Sequence, residues 1–137
     1  LRVVADDLGP RLRGDADAIR GAVLNLLDNA VKYATKPHEI LIEAGVVDGR
    51  ARLRVSDRGP GVAAADRARI FLPFVRIGDE LVRERPGAGL GLALVANIAA
   101  AHGGSAAVES REGGGSVFVL DLGPLDVGPP PAENAAP

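Results

Sequence analysis

The chain has 137 residues, a formal net charge of -2 and no cysteine. That length suits one domain with a real core, and the near-neutral charge offers no basic surface for nucleic acid or an anionic membrane. Disulfides and cysteine-ligated metals are excluded, and at 47% hydrophobic and 25% charged the composition is that of a globular protein.

A chain that opens on Leu1 and lacks methionine is expected to be a piece of a longer protein. No signal peptide is visible, and the longest apolar run, 90–101, is broken by Asn97 and too short for a bilayer. In chain order, 1–5 reads as a strand, Gly9-Pro10 as a turn and 11–13 as a possible short strand. Asp15 or Asp17 can cap a helix over 16–34, whose apolar face is Ile19, Val23, Leu26, Leu27, Ala30, Val31 and Ala34. Pro37 ends it. The runs 40–47 and 51–57 alternate and meet at Asp48-Gly49, a hairpin signal. A short helix is expected over 63–70, an irregular, mobile loop over 71–88 and a long helix over 89–102, stopped by Gly103-Gly104. A last hairpin joins 105–111 to 116–122 around Gly113-Gly114-Gly115. The expected organisation is a domain over 1–123 and a disordered Pro- and Ala-rich tail over 124–137. The elements add up to an α/β two-layer sandwich, a mixed and mostly antiparallel sheet with helices on one face.

Three segments could carry chemistry. In Asn25-Leu26-Leu27-Asp28-Asn29-Ala30-Val31-Lys32-Tyr33, two asparagines stand one turn apart inside a helix, where asparagine is a mediocre choice. They share a sector with Lys32, Tyr33 and the small residues Ala18 and Ala22. Amide oxygens suit Mg²⁺ and Lys32 suits phosphate, although a solvated polar face would look the same. In Asp57-Arg58-Gly59-Pro60-Gly61, a carboxylate at a strand end can accept from an exocyclic amine such as that of adenine, and the glycines admit a flat ring. Taken in isolation, a plain Gly-Pro turn after a strand is the favoured reading of this segment. Gly87-Ala88-Gly89-Leu90-Gly91-Leu92 leads into a helix, where free N–H groups suit phosphate. It is neither a Walker loop nor a dinucleotide fingerprint, since no Gly-Lys-Ser/Thr and no preceding strand accompany it and the sheet is not expected to contain βαβ units.

In this order and spacing, the chain resembles the ATP-binding catalytic domain of sensor histidine kinases, in the superfamily of gyrase-type, chaperone and mismatch-repair ATPases (Bergerat-type ATP-binding fold). The segment 25–33 looks like the asparagine box, 57–61 like the first glycine box, Ile70-Phe71-Leu72-Pro73-Phe74-Val75-Arg76 like the phenylalanine box and 87–92 like the second glycine box. His102-Gly103-Gly104 and Gly115-Ser116-Val117-Phe118 match the family's closing hairpin, so the likeness covers 1–122. The resemblance implies ATP and Mg²⁺ as cofactors. Asn29 is the implied metal ligand and Asn25 supports the metal or phosphate site. By the same resemblance, Lys32 and Arg76 match positions that contact phosphate, and Tyr33 would line the nucleotide site. Asp57 binds the adenine amine between Gly59 and Gly61. Gly87, Gly89 and Gly91, with Leu90 and Leu92, hinge the lid and approach the phosphates. Phe71 and Phe74 anchor the lid by packing.

The resemblance also implies what the chain lacks. Relatives that hydrolyse ATP carry a glutamate at the position of Asn25, and an amide cannot take a proton from water. Asn25, Lys32 and Arg76 are therefore expected to position and neutralise phosphate rather than activate water. The phosphoacceptor is expected on a separate histidine-bearing dimerisation domain. His38 follows Pro37 outside any helix, and His102 sits at a helix end, so both read as structural. Asp66, Asp79, Glu80, Arg83 and Arg85 read as a solvated surface. The expected function is γ-phosphoryl transfer in two-component signalling. The implied partners are that dimerisation domain and a response regulator, with no nucleic acid, and the parent is a membrane-anchored homodimer whose catalytic domain is cytoplasmic. The alternatives are an anti-sigma-type serine kinase of the same fold, which the Phe-x-Pro-Phe-x-Arg segment disfavours, and a non-catalytic nucleotide-sensing module.

Overall fold

The computed structural model describes residues 2–5, 12–33, 39–73 and 91–125, the first of these as backbone only. Strand β1 (Arg2–Ala5) precedes helix α1 (Ala16–Tyr33). Strands β2 (Leu41–Val47) and β3 (Arg50–Ser56) form a hairpin, followed by single 3₁₀ turns at Ala64–Asp66 and Arg69–Phe71. Helix α2 (Gly91–Ala101) leads into the closing hairpin of β4 (Ser105–Ser110) and β5 (Ser116–Pro124). The sheet order is β1-β2-β3-β5-β4, parallel between β1 and β2 and antiparallel elsewhere.

Local chemistry explains these boundaries. Asp15 is the α1 cap: its Oδ1 accepts from the amides of Asp17 at 3.0 Å and Ala18 at 3.1 Å. Asp48 and Gly49 both take positive φ, 52° and 74°, as a two-residue hairpin turn requires. Gly103, at φ 82°, ends α2 in a Schellman arrangement, with the Gly104 amide on the Ala99 carbonyl at 2.9 Å and the Gly103 amide on that of Ala100 at 3.0 Å.

Alternation along the strands gives the sheet two faces. Ile42, Val55, Val108, Phe118, Leu120 and Leu122 point to the helices and form the core with Ala22, Leu26, Ala30, Val95 and Ala99. Leu26, Leu120, Val55 and Val95 are almost wholly buried, a gain of about 1.5–3 kcal/mol per side chain. The outer face carries Arg50, Arg52 and Arg54. Arg50 Nε donates to Asp121 at 3.1 Å, and Arg54 lies 3.7 Å from Glu109. Asp121 Oδ1 also accepts from the Gly123 amide at 2.8 Å.

Several expectations need correction. Residues 12 and 13 are not a strand, and 63–70 forms 3₁₀ turns rather than a helix. On α1, Val31 is 59% exposed, whereas Ala22, assigned above to the polar sector, is fully buried. Helices α1 and α2 pack against each other. The parallel β1–β2 pair flanking α1 is a βαβ unit, which the sequence reading did not expect. Strand β5 continues to Pro124, and buried Leu125 donates its amide to the Gly49 carbonyl at 3.0 Å, past the boundary expected at 123. Gly9-Pro10, Ala34, Pro37, His38, the loop residues 74–88 and the tail 126–137 lie outside the described residues. Among the described residues, no helix is long and apolar enough to cross a membrane.

Candidate functional site

Helix α1 is the floor of the site. Asn25 and Asn29 are half-buried one turn apart, and no described residue hydrogen-bonds either amide. Lys32, further along the helix, lies 3.0 Å from Asp28. An i,i+4 pair of this kind is worth about 0.3–0.5 kcal/mol, too little to commit Lys32 to Asp28 against a phosphate.

The other two motifs meet α1 at opposite ends of this stretch. At Gly59 an added Cβ would lie 2.9 Å from the Tyr33 carbonyl oxygen and 3.1 Å from Asp57 Oδ1. Only glycine lets the loop after β3 pass this close to the end of α1. At Gly91, the first residue of α2, an added Cβ would lie 3.2 Å from Asn25 Oδ1. The amide of Asn25 thus faces the N-terminus of α2, where unpaired N–H groups and the helix dipole favour an anion. Leu92 is partly buried against the core. Segments about residues 25–33, 57–61 and 91 therefore share one locality.

Asp57 is 97% buried just beyond β3. Its Oδ1 accepts from the Gly59 amide at 2.8 Å and the Ser116 amide at 3.3 Å, and its own amide donates to the Ser116 carbonyl at 2.9 Å. No described residue donates to Oδ2, which leaves that oxygen for a ligand donor. Gly61 turns the loop at φ 78°.

Phe71 lies edge-to-face on Phe118, with centroids 6.5 Å apart and planes at 79°, fixing the start of the phenylalanine segment to the sheet. Phe74, Arg76, Gly87, Gly89 and Leu90 lie outside the described residues. His102 is structural in its contacts: Nδ1 donates to the Ile98 carbonyl at 2.7 Å and Nε2 accepts the Asp15 amide at 3.0 Å. Asp66 pairs with Arg69 on the surface at 3.2 Å.

The sequence reading missed the contribution of the β4–β5 turn. Gly113, Gly114 and Gly115 all take positive φ, and an added Cβ at Gly115 would collide with the Asp57 carbonyl. Arg58 Nη1 donates to the carbonyls of Glu112 at 2.6 Å and Gly114 at 2.8 Å. The run of glycines was the available signal, but spacing alone did not reveal that the turn folds back onto Asp57.

Asn25 and Asn29 offer half-buried amide oxygens, hard donors of the kind magnesium accepts. Mg²⁺ is commonly bound through one or two protein groups together with substrate phosphates and water.

Residues 14–125 match the family model for histidine kinase-, DNA gyrase B-, and HSP90-like ATPases. The chain belongs to that family. It is 37% identical over 114 residues to the sensor-like histidine kinase SenX3 of Mycolicibacterium smegmatis, covering 83% of this chain and 30% of that one. It superposes on the mycobacterial sensor histidine kinase MprB with a TM-score of 0.72 at 31% identity, covering 90% of this chain and 81% of that one. Full-length ShkA, solved in complex with AMPPNP, gives a TM-score of 0.71 at 35% identity, covering 90% of this chain and 26% of that one. The chain spans between 20% and 30% of the first curated relatives it matches.

Proposed function

We propose that this chain binds Mg·ATP against α1 and transfers the γ-phosphoryl group to a histidine on a separate dimerisation domain, as the catalytic part of a sensor histidine kinase. The supporting observation is the convergence on α1. The first glycine segment touches Tyr33 and the start of α2 faces Asn25, while Asp57 keeps one carboxylate oxygen available. In this reading Oδ2 of Asp57 accepts from the adenine amine, and Gly59 and Gly61 leave room for the ring. Asn29 contributes an amide oxygen to the metal, which when bound neutralises phosphate charge. Lys32, Asn25 and the N–H groups opening α2 hold the phosphates, with Arg76 and the glycines at 87 and 89 completing the set.

Phosphoryl transfer of this kind depends on positioning and on stabilising charge. Asn25 does not serve as general base, because an amide cannot accept a proton from water. The nucleophile therefore arrives on a partner domain, and a response regulator is the proposed acceptor of the next transfer. The parent is proposed to be a membrane-anchored homodimer with this domain on the cytoplasmic side.

Calorimetry and phosphate release on the same preparation test the reading. The isolated chain is expected to bind ATP with magnesium and to release phosphate only slowly. Multiple rapid turnovers without any partner would contradict a borrowed nucleophile. Binding that is never followed by transfer to any histidine domain would favour the nucleotide-sensing alternative.

A further inference from the structure

We infer that Arg58 is a positioning residue for adenine recognition, acting through the β4–β5 turn on the carboxylate of Asp57. The inference rests on the proposed adenine role of Asp57.

Two amides hold Asp57 Oδ1, and they come from different places. Gly59 belongs to the same loop. Ser116 opens β5 directly after the turn at 111–115, and its carbonyl accepts the Asp57 amide at 2.9 Å. The Ser116 bond is the longer one, 3.3 Å against 2.8 Å, so it is the more sensitive to where the turn sits. The turn is built from Gly113, Gly114 and Gly115 at φ 83°, 108° and 106°, the residues that lose most conformational freedom on ordering. Its internal bonds, Arg111 amide to Gly115 carbonyl at 3.0 Å and Gly114 amide to Arg111 carbonyl at 2.9 Å, shape it but do not tie it to Asp57.

Arg58 adds a side-chain tie to the turn itself, from the residue next to Asp57. One guanidinium nitrogen bonds the carbonyls of both Glu112 and Gly114, and the turn lies so close that an added Cβ at Gly113 would be 3.1 Å from that nitrogen. The Arg58 side chain is three-quarters buried, and its Nε lies 3.9 Å from the Glu39 carboxylate. Arg111, at the other end of the turn, donates to the Glu39 carbonyl at 2.7 Å. Such charge-assisted donors are stronger than neutral ones, and a recognition group works only when its supporting contacts lock its geometry. Arg58 thus steadies the turn that leads into Ser116, the Ser116 amide steadies Oδ1, and Oδ2 is left aimed at the ligand. Arg58 itself touches no ligand in this scheme.

The test compares ADP with purine riboside diphosphate, which lacks the exocyclic amine, by calorimetry on the 137-residue chain. In Arg58→Ala, ADP affinity is expected to fall roughly tenfold while purine riboside diphosphate affinity holds, because only the amine contact is misplaced. Arg58→Lys, which keeps a cationic donor, is expected to recover most of the preference. If the alanine variant does not fold, Arg58→Gln, which has a donor but cannot bridge both carbonyls, takes its place with the same expectation. A preference for ADP left intact, or equal losses for both nucleotides, would overturn the inference. Asp57→Asn separates the two levels. If Asp57→Asn abolishes the preference and the Arg58 variants do not, only the positioning role falls. If Asp57→Asn leaves the preference intact, the adenine assignment falls and the positioning role with it.

Discussion

Through Oδ1, Asp57 is fixed by the amides of Gly59 and Ser116 before any ligand arrives, so its second oxygen has a defined direction. Asp57→Asn brings an NH2 group into a slot already lined by N–H donors, and ATP affinity is expected to fall by at least about tenfold. Unchanged affinity in titration calorimetry would refute the adenine assignment. Asn29 carries a separate prediction. Its half-buried amide is the proposed metal contact, so Asn29→Ala is expected to make nucleotide affinity insensitive to magnesium. Equal magnesium sensitivity in the variant and the parent chain would exclude Asn29 as the ligand. Asn25 and Asn29 stood out in the sequence because asparagine is a mediocre choice inside a helix, whereas Asp57 stood out only through the order and spacing of the motifs. Arg58 was not, because its partners are backbone carbonyls more than fifty positions away.

At the scale of elements, α1 and α2 are joined end to end by His102, whose Nε2 takes the amide of Asp15 while Nδ1 returns to its own helix. Asp15 in turn caps α1. Asp15→Ala is expected to cost about 1 kcal/mol, the usual loss for a helix cap, seen as a lower urea midpoint at unchanged slope. A midpoint equal to that of the parent chain would mean that α1 needs no cap. The element boundaries were largely readable, since caps, Asp48-Gly49 and Gly103-Gly104 are local signals with local causes. The orientation of α1 was not. Helical period gives a stripe of apolar positions, but Val31 is exposed and Ala22 is buried. Which neighbour covers a helix is a tertiary fact. The segment 63–70 misled for a similar reason, since its alanines favour a helix while Arg67 is drawn to the Val62 carbonyl and to Ser110.

Across the whole molecule, the site and its stabilising charges lie in different places. Asp121, on the outer face of the sheet, is held below its ordinary pKa of 3.8 chiefly by the hydrogen bond from Arg50, with burial acting in the opposite direction. Arg50 extends the link to the Gly103 carbonyl at 2.8 Å, connecting β3 and β5 to the end of α2. A carboxylate with a depressed folded pKa adds stability that is fully present above its unfolded value and is lost as pH falls through the folded one. Thermal stability is therefore expected to fall as pH drops below about 4, and Asp121→Asn is expected to flatten that part of the profile. An identical acid slope in the variant would assign the loss to other carboxylates.

The central claim, a kinase domain that borrows its nucleophile, is tested most directly by mixing this chain with a histidine-bearing helical dimerisation domain and γ-labelled ATP. The account predicts an acid-labile label on the histidine of the partner domain, dependent on magnesium and abolished by Asp57→Asn. Label on a serine, or release of all label as free phosphate with none transferred, would contradict it.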